Sequence, residues 1–467
     1  MLPPSSTASL SPAVLLRHVK PGPRYTSYPS AAEFHAGFTA REAREELARV
    51  GPSPSDPVSL YLHIPFCRSL CWYCGCNVVI SRNAQVGSSY VDTLCKEIEL
   101  LAQQVGPNRP LSELSVGGGS PNFLDPADLA RLSDTVRSSF DLTPDAELGI
   151  ELDPRETTAA QVVMLSEFGF NRVSIGVQDF APQVQKLINR KQSIEQTTDL
   201  IDCARASGYN VINMDLIYGL PGQTVESFGQ TMDIICDLGA NRIALFGYAH
   251  LPHLRPHQKL VERDGPIPDT TLRAELLAVA LERFAAAGYL RVGMDHFALP
   301  DDELVKAAMD GRLHRNFQGY VVRRATDLLA CGTTGISSTG SAHWQNLSEV
   351  DEWRAQVEAG KLPVRRGIQM NEDDRIRGHV ISRLMCDAEL SWAEVDGLFD
   401  IDFAEYFAAE IAALSTGEYT DLIAVDEDAK RFTATPLGCN LIRNVCMVFD
   451  RYGKAPVPGK PRFSSTL

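Results

Sequence analysis

Four cysteines lie within ten residues of one another, at Cys67, Cys71, Cys74 and Cys76. Sulfurs separated by three and then two residues in a turning loop can converge on one metal centre, and thiolate is the usual ligand of iron–sulfur clusters. We therefore predict that Cys67, Cys71 and Cys74 are cluster ligands. A four-iron cluster held by only three thiolates leaves one iron without a protein ligand, where a substrate or cofactor could bind.

Two other interpretations of these cysteines stay open. A zinc site usually gathers its ligands in two pairs, and no second pair stands at such spacing here. A disulfide is disfavoured because the chain has eleven cysteines, an odd total, and shows no signal peptide, which together indicate reduced thiols.

The elements that must position the cysteines are strands followed by helices. Residues 59–64 alternate in polarity and carry aromatic and branched side chains, so they read as a strand that Pro65 ends. We predict further strands at residues 114–116, 148–152, 172–177, 211–217, 242–248 and 290–297. We predict the intervening helices at residues 89–104, 126–140, 159–168, 194–207, 225–238 and 270–287. Six strand–helix units imply a parallel sheet.

Ligands of such sheets bind at the carboxyl ends of the strands, so the residues there are functional candidates. The loop Gly117-Gly118-Gly119-Ser120 would let backbone groups approach a ligand, although three glycines are more often a plain turn. Glu151 could accept hydrogen bonds from ribose hydroxyls or an amino group, whereas Asp153 suits a helix cap better. Asp215 interrupts an apolar run, and we expect it to have a partner because burying an unpaired carboxylate is costly.

The composition bounds the class of protein. With 467 residues the chain can hold two or three domains, which we place at residues 1–58, 59–365 and 366–467. The last is predicted to be mainly helical, with a β-ribbon at residues 421–432 and a final helix at residues 436–449 that Thr435 caps.

A formal charge of −15 argues against binding to nucleic acid or anionic membranes. No apolar run reaches the roughly 18 residues of a membrane span, and we expect a cytoplasmic protein, with an organelle kept open.

The amino-terminal residues form a distinct segment. Residues 1–12 are rich in Ser and Pro and are predicted to be disordered. Residues 21–29, Pro-Gly-Pro-Arg-Tyr-Thr-Ser-Tyr-Pro, contain too many turn residues for a helix. We expect this arm to fold over the site with Arg24 facing the substrate, and a tail packed on the surface is the alternative.

The cysteine spacing, following a strand, resembles that of the radical S-adenosylmethionine (SAM) superfamily. The phrase Tyr-x-His-Ile-Pro-Phe-Cys at residues 61–67 and the Cys-Gly-Cys-Asn at residues 74–77 resemble the oxygen-independent coproporphyrinogen III oxidases. The resemblance extends from about residue 21 to residue 452. It implies an α/β fold, an open parallel six-unit (β/α) barrel with a mainly helical carboxy-terminal domain.

The resemblance also implies site residues. The positions that match those holding SAM are Tyr61, Gly118, Gly119, Ser120, Glu151, Gln178, Arg190, Asp215 and Ala249. A second SAM would contact Tyr73, Gln318 and Ile336. Cys76 and Arg315 are candidates for roles beside SAM and the substrate, and Arg24 and Arg443 could also hold substrate carboxylates. Val116 departs from the family, in which an aromatic residue often precedes the glycines.

The activity implied is the oxidative decarboxylation of two propionates of coproporphyrinogen III, which gives the two vinyl groups of protoporphyrinogen IX. It would use a [4Fe-4S] cluster, two SAM molecules and a low-potential electron donor such as flavodoxin or ferredoxin, in a monomer. A haem-binding chaperone of the same superfamily is the main alternative, but such chaperones generally lack the cysteine matching Cys76 and the arm. A simple electron carrier would need no barrel.

Overall fold

The computed structural model describes residues 12–50, 56–106, 108–322, 325, 327–453 and 463–466. The disorder predicted for residues 1–12 therefore falls almost entirely outside the described residues, since only Pro12 is among them, at the start of the first helix.

Strands and helices alternate through the first two thirds of the described chain. The strands are β1 (Val58–Ile64), β2 (Phe66–Cys67), β3 (Val79–Ile80), β4 (Arg109–Gly118), β5 (Phe140–Leu152), β6 (Arg172–Gln178), β7 (Val211–Tyr218), β8 (Arg242–Gly247), β9 (Leu290–Arg291), β10 (His296–Ala298), β11 (His314–Asn316), β12 (Gly319–Val321), β13 (Asp327–Cys331), β14 (Ile336–Ser338), β15 (Ala342–Asn346), β16 (Val364–Gln369), β17 (Glu389–Ser391), β18 (Ile423–Asp426) and β19 (Arg431–Ala434). The helices are α1 (Pro12–Leu16), α2 (Ala40–Arg49), α3 (Gln85–Val105), α4 (Pro126–Ser139), α5 (Ala159–Glu167), α6 (Pro182–Leu187), α7 (Ile194–Ala206), α8 (Val225–Leu238), α9 (Lys259–Asp264), α10 (Thr270–Ala286), α11 (Glu303–Met309), α12 (Val350–Glu358), α13 (Glu372–Asp387), α14 (Trp392–Phe399), α15 (Phe403–Tyr406), α16 (Ala408–Leu414), α17 (Pro436–Asn440) and α18 (Ile442–Cys446).

Six parallel strands form the barrel, in the order β1-β4-β5-β6-β7-β8. This confirms the predicted α/β architecture. The strand β5 begins eight residues earlier than predicted, at Phe140 rather than residue 148. Its first residues include polar side chains and Pro144, so they carry no apolar signal, yet they pair with Arg109–Leu111 of β4.

Side-chain alternation gives each barrel strand an apolar and a polar face. In β6, Val173, Ile175 and Val177 are fully buried in the main core. Arg172 and Ser174 point to the other side and line a cavity inside the barrel. The strand therefore divides its residues between helix packing and the site, as a period of two requires.

Further strands extend the barrel sheet to twelve. On one side β13 pairs parallel with β1 and is followed by the antiparallel strands β14, β15 and β16. On the other side β10 pairs antiparallel with β8 and then with β9. The single strand predicted at residues 290–297 is wrong in this detail, because the chain turns between β9 and β10 and the Val292 amide donates to the His296 carbonyl at 2.9 Å.

A second core belongs to the carboxy-terminal residues and includes Tyr25 and Tyr28 of the amino-terminal arm. Its β-ribbon is a three-stranded sheet, β17-β19-β18. Thr435 caps a helix as predicted, accepting a hydrogen bond from the Gly438 amide. The prediction of one helix over residues 436–449 is wrong: α17 and α18 are separated at Leu441, whose backbone leaves the helical region (φ −118°) where its side chain enters the second core.

None of the helices in the described part of the chain is both long and apolar enough to cross a membrane.

Candidate active site

The cysteine loop leaves the end of β1 and closes on itself. Cys67 lies in β2, which pairs parallel with β3 on the far side of the loop. The backbone amide of Cys76 donates to the Cys74 sulfur at 3.4 Å, and the Cys67 sulfur lies 3.6 Å from the Ser120 hydroxyl. The loop thus lies beyond the end of β1 and beside Ser120, which follows β4.

Positive groups face the cysteines. The guanidinium groups of Arg155 and Arg190 donate to the Cys71 sulfur at 3.7 and 3.6 Å. Hydrogen bonds from Cys76, together with nearby guanidinium charge, lower the pKa of Cys74 to about 7 despite its burial. Burial raises the pKa of Cys67 to about 11 in the absence of a metal ion. Amide and guanidinium donors beside sulfur are the surroundings that a thiolate-bound, negatively charged cluster needs, so the loop fits such a cluster.

The two other interpretations of the cysteines gain no support. All eleven cysteines are free thiols. Among the described residues, no three His, Cys, Asp or Glu side chains, the loop cysteines included, stand at distances that would hold a metal ion, so the structure does not separate zinc from an iron–sulfur cluster.

Beside the loop, Asp153 is held by two arginines. Arg190 donates to both of its carboxylate oxygens, at 3.0 and 3.2 Å, and Arg155 does so at 2.6 and 2.9 Å. Burial disfavours the charged carboxylate, but the two guanidinium groups outweigh it and hold the pKa of Asp153 at about 2. The helix-cap interpretation of Asp153 is wrong, since Thr158 caps α5.

A cavity of about 230 Å³ lies inside the barrel. Six predicted site residues line it: Arg24, Tyr61, Glu151, Asp215, Arg315 and Gln318. They come from the amino-terminal arm, three barrel strands and the hairpin of β11 and β12, so the fold brings together residues that are far apart in the chain.

Two carboxylates of this cavity, Glu151 and Asp215, form no ion pair with a basic side chain in the described structure. Burial inside the barrel, together with the nearby Asp215 charge, raises the pKa of Glu151 to about 7. Asp215 has the partners that we expected, because Ser174 and Asn213 each donate to it at 2.8 Å. Burial still raises the pKa of Asp215.

The glycine loop is shaped by neighbouring protein groups. A Cβ on Gly117 would lie 2.7 Å from the Glu151 carboxylate, and one on Gly118, at φ +115°, would lie 2.4 Å from the His63 ring. The Gly118 amide donates to Glu151 at 3.1 Å. The glycines therefore allow Glu151 and His63 to approach the backbone, a different reason from the ligand approach that we predicted.

The remaining predicted SAM positions surround the loop or lie apart. The Gln258 side chain donates to the carbonyls of both Tyr73 and Ala249, at 2.8 and 3.2 Å, which places these two together. Gln178, at φ +68°, follows the Gly176 carbonyl to which Arg190 donates. The Gly119 amide is bonded to the β1 end. Ile336 lies on β14 and does not line the cavity.

The candidate substrate arginines divide into two groups. Arg24 and Arg315 line the cavity, and both approach Asp295, with nitrogen–oxygen distances of 3.4 and 3.7 Å. The Nε and Nη1 groups of Arg315 have no hydrogen-bond partner in the described structure. Arg443 does not reach the cavity, since its donors are used by the carbonyls of Gly22 and Ser465.

Asp295 connects these arginines to His296. Burial opposes its ionisation, but Arg315, His296 and Arg24 together hold the pKa of the Asp295 carboxyl well below its usual range. The arm itself is anchored, because the buried Tyr25 donates to Asp450 at 2.9 Å. It is therefore not a tail packed on the surface.

Sequence reasoning missed several cavity residues, among them Arg172, Ser174 and Phe246. Arg172 is mostly buried and pairs with Glu147 at 2.8 Å. The sequence does indicate these β6 residues. Arg172 and Ser174 stand at alternate positions in an otherwise apolar strand, which places them on one face of it.

Comparison with known proteins agrees with this geometry. The Radical SAM superfamily matches residues 61–235. The chain is 41% identical over 456 residues to the oxygen-independent coproporphyrinogen III oxidase of Pseudomonas aeruginosa, covering 97% of this chain and 98% of the relative. It is 35% identical over 453 residues to that of Helicobacter pylori, covering 97% and 98%. The solved structure of the radical SAM enzyme coproporphyrinogen III oxidase from Escherichia coli superposes with a TM-score of 0.88 at 40% identity, covering 94% of this chain and 99% of that one.

Proposed function

The chain belongs to the oxygen-independent coproporphyrinogen III oxidases of the radical SAM superfamily, and on that premise we propose that it decarboxylates coproporphyrinogen III to protoporphyrinogen IX. The observation that carries the proposal is one cavity inside the barrel that joins three carboxylates to three guanidinium groups, those of Glu151, Asp215 and Asp295 and of Arg24, Arg172 and Arg315. Those two kinds of group suit a cationic cofactor and an anionic substrate respectively.

The residues that would hold the cofactors are those already placed. Cys67, Cys71 and Cys74 would bind a [4Fe-4S] cluster, and Glu151 and Asp215 would accept hydrogen bonds from SAM. When bound, the cluster and SAM supply an electron and a 5′-deoxyadenosyl radical that removes a hydrogen atom from a propionate side chain. Tyr73, Gln318 and Ile336 are proposed to contact a second SAM, and of these only Gln318 lines the cavity.

The protein's own contribution is to bind and orient. Arg315 lines the cavity as a buried guanidinium 3.7 Å from the Asp295 carboxylate, and its charge would attract a substrate carboxylate. Arg24, on the arm, would hold the same or a neighbouring carboxylate. Because the arm is anchored in the second core by Tyr25 and Tyr28, it covers the cavity and limits the access of water.

Several finer points are proposals of the same kind. Each decarboxylation leaves one electron for an outside acceptor, and each SAM cleavage needs one from a low-potential donor such as flavodoxin or ferredoxin. We place the protein in the cytoplasm, which its eleven free cysteines support, and expect a monomer. The haem-binding chaperone is not favoured, since the relatives are named as oxidases.

The direct test is anaerobic reconstitution with iron and sulfide, followed by incubation with SAM, a reductant and coproporphyrinogen III. We expect protoporphyrinogen IX, with two molecules each of methionine and 5′-deoxyadenosine formed per product. Stoichiometric haem binding without SAM consumption would instead identify a chaperone.

The substrate-binding step is tested by Arg315→Ala. Loss of a hydrogen bond to a charged group costs about 1.5–3 kcal/mol, so we expect the Kd for coproporphyrinogen III to rise roughly tenfold or more. Arg312→Ala is the control, because its guanidinium is largely exposed and already paired with Asp310 at 2.7 Å. Unchanged affinity in Arg315→Ala would remove this residue from the substrate site.

A further inference from the structure

Two other chain segments contact the cysteine loop. Near the start of the loop, Asn189 donates to the Leu70 carbonyl at 2.8 Å, and the Trp72 amide donates to the Ile188 carbonyl at 3.0 Å. Further along, His257 and Arg255 approach the Cys74 and Gly75 carbonyls at 2.8 and 2.9 Å. We call the loop and these two segments together the belt, and none of the residues in these contacts lines the cavity.

The charge of this belt is opposite to that of the whole chain. Residues 66–83, 181–193 and 250–263 together contain eight Lys and Arg residues and one carboxylate, Glu262, whereas the chain has 44 basic and 59 acidic residues. Glu262 is already engaged by His250 at 2.6 Å. The exposed cations of the belt are Arg68, Arg82, Lys186, Lys191, Lys259 and Arg263.

Most of these cations are not needed within the fold. In the part of the chain that the structure describes, no acidic side chain pairs with Arg82, Lys186, Lys191 or Lys259. Solubility does not explain these exposed, unpaired cations. The chain already has a formal charge of −15, a net charge large enough to keep a protein in solution. The concentration of these cations beside one loop therefore points to an acidic partner.

The belt also carries apolar contact area and an aromatic side chain next to the cysteines. Val79, Ile80 and Leu254 are 38%, 45% and 58% exposed, which is unusual for large apolar side chains in this protein. Trp72, adjacent to Cys71 in sequence, is half-buried, with the Arg263 guanidinium 5.5 Å from its ring centroid. Small apolar patches ringed by charge are typical of interfaces that form and dissociate quickly, as electron transfer requires.

We propose that this basic belt is the docking surface of the electron donor, a small acidic protein carrying a one-electron cofactor. The inference rests on the proposed function, which requires one electron for each SAM cleaved. In each encounter the donor would be oxidised by one electron and the cluster reduced by one, with no other group transferred. The belt is the exposed side of the loop, so a donor bound there does not compete with substrate in the cavity.

The test uses the reconstituted holoenzyme and a fluorescently labelled flavodoxin as the probe. The variant Lys186→Glu/Lys259→Glu changes one cation on each of two belt segments, and Lys306→Glu/Lys430→Glu changes the net charge equally at exposed sites on α11 and the β18–β19 turn. Fluorescence anisotropy gives the Kd at low and high salt. We expect the belt variant to raise the Kd roughly tenfold or more at low salt and to weaken its salt dependence, and the control to change the Kd less than about twofold.

A second readout separates docking from the proposed function. With dithionite, which needs no docking surface, both variants should cleave SAM as the wild type does, whereas with reduced flavodoxin only the belt variant should be slow. Equal flavodoxin affinity and salt dependence in the belt variant and the control would overturn the docking proposal. Absence of SAM cleavage by the wild type with dithionite would overturn the proposed function. The docking proposal would then be decided by the flavodoxin affinities alone.

Discussion

Two carboxylates two residues apart on the same strand end meet opposite surroundings. Asp153 faces the cysteine loop, where Arg155 and Arg190 hold its pKa at about 2. Glu151 faces the barrel cavity, where burial and the Asp215 charge outweigh the Arg172 charge and the Gly118 hydrogen bond and raise its pKa to about 7. Glu151 lies within β5, whereas Asp153 follows its last residue, Leu152, where the chain leaves the strand. This strand end therefore supplies both a fixed ion pair for the cluster side and a carboxylate acceptor for the cofactor side.

The difference teaches what each side is built to do. On the cluster side the charges are already compensated, because Arg190 and Arg155 bridge Asp153 and the Cys71 sulfur. On the cavity side the compensation of Glu151 and Asp215 is incomplete, since the pKa of each carboxyl stays raised, and a cationic ligand would complete it. Perturbed carboxylates in a cleft are typical of functional sites, and here the perturbation marks where a cation is expected to bind.

We expect the largest loss of activity when one of the predicted cluster ligands is replaced. Cys71→Ser removes a thiolate ligand, and we expect bound iron and sulfide to be lost after reconstitution, with SAM cleavage falling at least about 100-fold. Cys203→Ser, at a half-buried cysteine of α7, is the control and should retain both. A Cys71→Ser protein with a full cluster would show that the ligand set is wrong.

Next in size is the loss of the ion pair. Arg190→Ala leaves the buried Asp153 carboxylate with Arg155 alone, and removing one partner of a buried pair costs about 3 kcal/mol. Urea denaturation of the metal-free protein should show a fall of that order in the free energy of unfolding. Adding Asp153→Asn to the same variant should restore part of the stability, since it removes the uncompensated charge, and a further loss instead would argue against the pair.

The role proposed for Glu151 on the cavity side can be tested by the pH dependence of SAM binding. A cationic ligand favours the ionised form of Glu151, so the affinity of the reconstituted enzyme for SAM should increase as pH rises through about 7. We expect up to about a tenfold gain between pH 6 and pH 8, measured by equilibrium dialysis. Glu151→Gln should bind SAM more weakly, with a flatter profile. Identical profiles would remove Glu151 from the cofactor site.

The smallest effect concerns stability and has a defined sign. The folded protein keeps the Glu151 proton up to about pH 7, whereas the unfolded chain loses it near 4.5, so the unfolded state binds fewer protons in between. The free energy of unfolding of the metal-free wild type should therefore fall relative to Glu151→Gln as pH rises from about 4.5 to about 7. We expect a difference of about 1 kcal/mol, because water in the cavity screens the charge. A rise over that window would contradict the assignment.

Much of this arrangement could be predicted from the sequence. The six barrel strands and their helices follow from apolar periodicity, and the cysteine loop and Asp215 stood out because their residue types are unusual where they occur. The extra strands β13–β16 could not be recognised in the same way, since they are short and their apolar residues pack on distant parts of the chain, as Trp344 does on Phe38.

Which residues belong to the site could be predicted more easily than which of them form hydrogen bonds or ion pairs with one another. The pKa values of Glu151 and Asp153 differ largely because Arg190 pairs with Asp153. Arg190 is 37 residues from Asp153 in the chain and reaches it only because β5 and β6 are adjacent. Arg443 was misjudged for the same reason, because its partners come from both chain ends.

The most direct measurement is the Mössbauer spectrum of the ⁵⁷Fe-reconstituted protein, recorded with and without SAM. If three thiolates leave one iron open for the cofactor, SAM should shift the signal of one iron in four and leave the others unchanged. A spectrum of four equivalent irons that SAM does not alter, or a preparation that retains only zinc, would contradict the account.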